Sequence, residues 1–123
     1  MSNSKTILVV EDFKTTRDVI RHTLEKQGYN VLEAAHGKEA LKFLDGKHIN
    51  LVITDYNMPE MNGAELVEYL RSSTEYAYVP ILMLSTDTNE EKKQKAMLAG
   101  ATGWIKKPFE VVNFMKIIEK ILQ

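Results

Sequence analysis

The chain contains no cysteine. Disulfides and thiolate chemistry are therefore excluded, and a reducing compartment such as the cytoplasm is the expectation. Long apolar runs are also missing. The longest aliphatic stretches, Ile7-Leu8-Val9-Val10 and Ile81-Leu82-Met83-Leu84, are four residues each. A transmembrane helix needs roughly 20. Met1 to Lys5 are polar and offer no signal-peptide core. Neither sign of charge dominates: 16 basic residues stand against 17 acidic ones, a net charge of −1. No general attraction to nucleic acid or to anionic membranes is expected. With three prolines and six glycines in 123 residues, no Pro/Gly/Ser-rich linker divides the chain. One monomeric domain over residues 1–123 is expected, with 1–5 as a short polar tail. A domain of this size buries roughly two-thirds of the surface its unfolded chain exposes, so it needs no staples.

What the chain does contain is an alternation of short apolar runs and amphipathic stretches. The strand candidates are Thr6–Val10, Asn30–Ala34, Leu51–Thr54, Ile81–Leu84 and Gly103–Ile105. Between them lie helical patterns. Ile20 and Leu24 mark the first, beside Val19, with Gly28 as its C′ residue. Ala40, Leu41 and Leu44 mark the second, which should stop at Gly46, and Leu66, Val67 and Leu70 mark the third. The fourth should cap at Asn89 and end at Gly100. Val111, Met115, Ile118 and Leu122 mark the last. Strands spaced by such helices imply right-handed βαβ units and a parallel sheet, hence an α/β domain. The three central strands lack polar alternation, as expected when helices cover both faces. The fourth helix has few apolar anchors. Its run Glu90-Glu91-Lys92-Lys93-Gln94-Lys95 reads first as a solvated face with a Glu91–Lys95 pair. A lightly anchored helix beside a site is also a candidate for a movable output surface.

Carboxylates sit where these strands end. Asp55 follows Leu51-Val52-Ile53-Thr54, and Glu11-Asp12 follows the first strand. Ser85-Thr86 follows the fourth strand candidate, and Lys107 follows the fifth, just before Pro108. The carboxyl edge of an open α/β sheet is where its ligands bind. Three hard oxygen donors suit Mg²⁺. Without a cation they repel, and at least one pKa should rise. Three carboxylates, Lys107 and one Mg²⁺ sum to zero. Such a site can accept a phosphoryl group on Asp55, with Lys107 offsetting charge on the transferring oxygens and Ser85 donating to one of them. Each element alone is weak evidence, because acidic pairs after strands, lysines before prolines and Ser-Thr pairs at helix starts are common. Their joint placement is specific.

These motifs (Glu11-Asp12, Asp55 with Met58-Pro59, Ser85, and Lys107-Pro108-Phe109) carry a resemblance. The chain resembles the receiver domain of two-component response regulators over essentially its whole length. It is most like the stand-alone chemotaxis members, above all in Gly100 to Phe109. The resemblance implies a flavodoxin-like, doubly wound (βα)5 fold with strand order 2-1-3-4-5. It implies Asp55 as phosphoacceptor, and Asp12 and Asp55 as Mg²⁺ ligands. Glu11 would act largely through water, with the backbone carbonyl of Asn57 as a further ligand. Lys107 and Ser85 would contact the phosphoryl group, and Trp104 would be the aromatic switch. A sensor histidine kinase is the implied donor. With no effector domain, the output is a protein contact, first the flagellar motor switch, next a histidine-phosphotransfer protein in a phosphorelay, or service as a phosphate sink.

Three departures from the family pattern stand out. Glu11 replaces the commoner Asp, one methylene longer. Thr86 follows Ser85 where a small residue is usual. Asp87 and Asn57 lie where the family tunes dephosphorylation, and moderately fast phosphate loss is expected. Two other functions compete. An aspartyl-phosphate hydrolase needs a second Asp two residues after the nucleophile, where this chain has Asn57. A flavodoxin-like cofactor binder needs a phosphate-binding turn after the first strand, where Glu11-Asp12 would repel phosphate. His22, His36 and His48 show no metal spacing and are expected on the surface, and Tyr76 and Tyr78 are expected to pack at the edge of the fourth strand.

Overall fold

The computed structural model describes residues 5–123, and residues 1–4 of the expected polar tail lie outside them. Five strands alternate with five helices: β1 (Thr6–Val10), α1 (Lys14–Lys26), β2 (Asn30–Ala34), α2 (Gly37–Leu41), β3 (Leu51–Asp55), α3 (Gly63–Ser72), β4 (Ile81–Ser85), α4 (Glu90–Ala99), β5 (Gly103–Lys106) and α5 (Val111–Ile121). The strands form one parallel sheet in the order β2-β1-β3-β4-β5. This is the expected doubly wound arrangement.

The apolar runs are continuous because both faces of the sheet are covered. Ile7, Val9, Leu51, Ile53, Leu82 and Leu84 pack with Ile20 and Leu24 of α1 and with Phe114, Met115 and Ile118 of α5. The alternate residues Leu8, Val10, Val52, Ile81 and Met83 face the other way, onto Ala40, Leu66, Val67, Leu70 and Ala96. Each fully buried Leu or Ile contributes about 1.5–3 kcal/mol relative to exposure.

β3, β4 and β5 each run one residue further than expected, through Asp55, Ser85 and Lys106. Asp55 and Ser85 are therefore the last residues of their strands, which holds their backbones in the sheet ladder. The second helix stops at Leu41 rather than at Gly46. Beyond it the amides of Phe43 and Leu44 bond to Ala40 and Leu41, three residues back, so the chain tightens out of the α form. Half-buried His36 caps α2, its Nδ1 accepting from the Glu39 amide at 3.3 Å. That corrects the expectation that it is a plain surface residue. Asn89 caps α4 as expected, accepting from the amides of Glu91 and Lys92, and Gly100 ends it at φ 117°. Tyr76 is buried and its hydroxyl donates to the Lys47 carbonyl, while Tyr78 is 95% exposed and does not pack at all. Val111, expected on the apolar stripe of the last helix, is exposed where it lines the cavity at the carboxyl edge, as is Val19. No helix among the described residues is long and apolar enough to cross a membrane.

Candidate functional site

The parallel sheet brings the ends of β1, β3, β4 and β5 to one edge. There an open cavity of about 560 Å³ is lined by Asp12, Asp55, Asn57, Ser85, Thr86 and Lys107, among others. Its outer wall is apolar, formed by Phe13, Val19, Phe109 and Val111. Phe13 is 70% exposed.

Asp55 is only 3% exposed, and Glu11 is fully buried. Lys107 reaches both: its Nζ lies 2.7 Å from Asp55 Oδ1 and 2.9 Å from Glu11 Oε1. The other Asp55 oxygen, Oδ2, accepts from the Asp12 amide at 3.3 Å. Burial pushes the Asp55 carboxyl above its ordinary value. The hydrogen bond and charge of Lys107 and the Asp12 amide pull the other way without overcoming it. The Lys107 amide is itself anchored to the Ser85 carbonyl at 2.7 Å, so the lysine is presented from a backbone tied to β4.

Glu11, Asp12 and Asp55 each offer one carboxylate oxygen, all within 4.8 Å of one another. The three carboxylates and one ammonium leave two negative charges. Glu11 Oε2 is buried with no hydrogen-bond partner among the described residues. An uncompensated buried carboxylate oxygen is costly unless something hard and positive, or a water it orients, meets it. The donor set, the excess charge and this orphan oxygen all fit a divalent cation with oxygen ligands.

Ser85 lines the same cavity and is buried. Its Oγ accepts from the Asp87 amide at 2.9 Å. Thr86 beside it is exposed on the cavity wall. Asn57 is exposed, and its side-chain Oδ1 accepts from Lys92 Nζ at 3.4 Å. The hydrogen bond from Lys92 and the Asn89 amide hold the Asp87 carboxyl below its ordinary range. Trp104 does not line this cavity. It is half-buried in β5, packed against the core cluster that contains Tyr56 and Met83, with its ring centroid 5.8 Å from that of Tyr56, the residue that follows Asp55. The Tyr56 amide is held by the Leu84 carbonyl at 2.9 Å.

Three supporting residues were not expected from the sequence. Arg17 donates to the Glu11 carbonyl at 2.7 Å and pairs with Glu33, which fixes the turn carrying Glu11 and Asp12. Gly63 starts α3 against the acceptor strand, where an added Cβ would sit 2.6 Å from the Asp55 carbonyl oxygen. Asn62 and Glu65 form a reciprocal capping box at that start, so the N-x-x-E spacing was a readable signal for this turn. Lys92, the third, was hidden in a charge run.

The response regulator receiver domain model matches residues 7–119. The chain is 41% identical to chemotaxis protein CheY1 of Helicobacter pylori over 118 residues, covering 94% of this chain and 95% of that protein. It is 33% identical to chemotaxis protein CheY-3 of Vibrio cholerae, covering 100% of this chain and 95% of that one. The solved structure of the chemotaxis response regulator CheY4 of Vibrio cholerae superposes with a TM-score of 0.91 at 40% identity, covering 98% of this chain and 100% of that chain. With this site at the carboxyl edge of this sheet, the chain belongs to the response regulator receiver domain family and is a phosphorylation-activated signalling switch.

Proposed function

We propose that Asp55 accepts the phosphoryl group, from a chemotaxis-type sensor histidine kinase. The observation that carries this is the buried Asp55 carboxylate held at 2.7 Å by Lys107, beside the unpartnered Glu11 Oε2. An Asp55 oxygen attacks the phosphorus of the phosphohistidine. The phosphorus–nitrogen bond breaks as the new phosphorus–oxygen bond forms, and the imidazole takes up a proton. Lys107, already on Asp55, offers its charge to the transferring oxygens. Glu11, Asp12, Asp55 and the Asn57 carbonyl would hold Mg²⁺. When bound, it supplies further neutralisation of the phosphoryl oxygens. Ser85 has its hydroxyl proton to offer to one of those oxygens. The same residues serve loss of the group to water, and turnover is confined to this chain's own Asp55.

The reading continues to output. Ser85 is the last residue of β4, and Trp104 touches Tyr56 directly after Asp55. A phosphoryl group drawing Ser85 toward Asp55 changes the space beside Tyr56, and Trp104 repacks into it. The surface of α4 and β5 then presents a different face to an output protein, the flagellar motor switch being the first choice. In this reading the receiver domain, in the cytoplasm, both accepts the group from the kinase and loses it to water. The test is intact mass after incubation with acetyl phosphate and Mg²⁺. A single phosphoryl adduct in the wild type, absent in Asp55→Asn, is expected. An adduct that survives Asp55→Asn, or none in either protein, contradicts the assignment.

A further inference from the structure

Lys92 hydrogen-bonds the loops that follow both β3 and β4. It stands in the first turn of α4. Its Nζ donates to Asp87 Oδ2 at 2.7 Å in the loop after β4, and to Asn57 Oδ1 at 3.4 Å in the loop after β3. The ammonium also lies 5.8 Å from the centroid of the Tyr56 ring. The second Asp87 oxygen, Oδ1, accepts from the Asn89 amide at 2.8 Å, so the whole carboxylate is engaged by the start of α4. The Asp87 amide serves the site instead, donating to Ser85 Oγ at 2.9 Å. A serine hydroxyl has one proton and two lone pairs. With a lone pair taken by this amide, the proton remains to be offered. A continuous chain of contacts therefore runs from Lys92 through Asp87 to Ser85.

Charge gives this chain its consequence. Lys92 and Asp87 sum to zero as a pair. Without Lys92, the Asp87 carboxylate stands uncompensated two residues from Ser85 and adds one negative charge beside the site. Phosphodonors are anions, and like charge at the mouth of a cleft slows their arrival. Resting on the reading of Asp55 as the acceptor, we propose that Lys92 is a positioning residue for phosphoryl transfer. It neutralises Asp87 and holds it toward α4, so that the Asp87 amide fixes the Ser85 hydroxyl and the mouth stays open to an anionic donor.

The experiment follows the initial rate of adduct formation from acetyl phosphate with Mg²⁺, by intact mass, at low and high ionic strength. In this reaction the bond from phosphorus to the acyl oxygen breaks, one to Asp55 forms, and acetate leaves. Lys92→Met should slow the rate by about threefold or more at low salt, the scale of one uncompensated charge several ångströms away. That deficit should shrink toward about 1 M salt, where the screening length falls to ~3 Å. Lys92→Arg should keep the wild-type rate. In an Asp87→Asn background, adding Lys92→Met should change little, because the carboxylate to be neutralised is gone. A wild-type rate in Lys92→Met, or an equal slowing in the Asp87→Asn background, would overturn the inference while leaving Asp55 as acceptor. A wild type that takes no phosphoryl group would overturn both.

Discussion

The last two helices flank β5 and are held by opposite means. α5 is anchored by its apolar face: Phe114, Met115 and Ile118 are buried, and Phe114 stacks on Phe109 with centroids 4.6 Å apart. α4 buries only Ala96, while Leu98 is 87% exposed. What holds α4 is polar and sits at its ends. Asn89 caps its start, and Lys92 ties its first turn to Asp87 and Asn57. At its far end the Arg71 guanidinium donates to the Gly100 carbonyl at 2.8 and 3.1 Å, and to the carbonyl of Val79 at 2.7 Å. Apolar packing over a whole helix face resists any displacement. Contacts at two ends can exchange partners with little loss of buried area. Within one domain, α5 is thus built as framework and α4 as a part that can shift when the adjacent site changes charge.

That contrast is best attacked first where the packing is densest. Phe114→Ala should lower global stability by about 3–5 kcal/mol, measured by urea unfolding, because a large ring leaves a cavity against the sheet. Arg71→Ala should cost less, about 2 kcal/mol, by stripping a charged donor from several carbonyls. Its signature should be local, with faster amide exchange at Gly100 and Ala101 than in α5. Equal loosening of both helices would contradict the division between them.

The smallest effect expected is a gain. Asp55 is a buried carboxyl at the end of β3, and burial raises it above the ordinary 3.8. Below that value the group is protonated in both folded and unfolded chains. As pH rises past it, the unfolded chain releases the proton first, so the folded wild type loses stability until the raised folded value is passed. Asn does not titrate, and Lys107 retains Glu11. Asp55→Asn should therefore be more stable than wild type at pH 7 without metal. The gap should close as pH falls toward 3.8. Added Mg²⁺ should narrow it at pH 7 by stabilising the wild type more. Thermal melts with and without chelator across this pH range check all three statements.

The framework was legible in the sequence because it is apolar and periodic. Four-residue runs such as Ile7 to Val10, alternating with helical patterns, read as strands covered on both faces, and Asp55 after Leu51 to Thr54 marks the edge where they end. Glu11, Asp12, Asp55, Ser85 and Lys107 could be placed at one edge for the same reason: each stands at or just after the end of a strand. The supporting contacts were not. Arg71 is one arginine in an amphipathic helix, and only the fold shows that loop carbonyls converge on it. Lys92 sits among charged neighbours that do face solvent, and its partners lie five and 35 residues away. Val19 and Val111 belong to the helical patterns, yet both stay partly exposed where they line the cavity. Periodicity reports which face of an element is apolar, but not where the neighbouring element stops.

The most direct test of a fixed α5 and a responsive α4 is amide hydrogen exchange with and without Mg²⁺ and beryllofluoride, a mimic of the phosphoryl group. Peptides spanning Ser85 to Ala99 should change their exchange in the wild type and not in Asp55→Asn, while α5 peptides stay the same in both. Unchanged exchange across α4 in a protein that has bound the mimic, or an equal change in α5, would contradict the account.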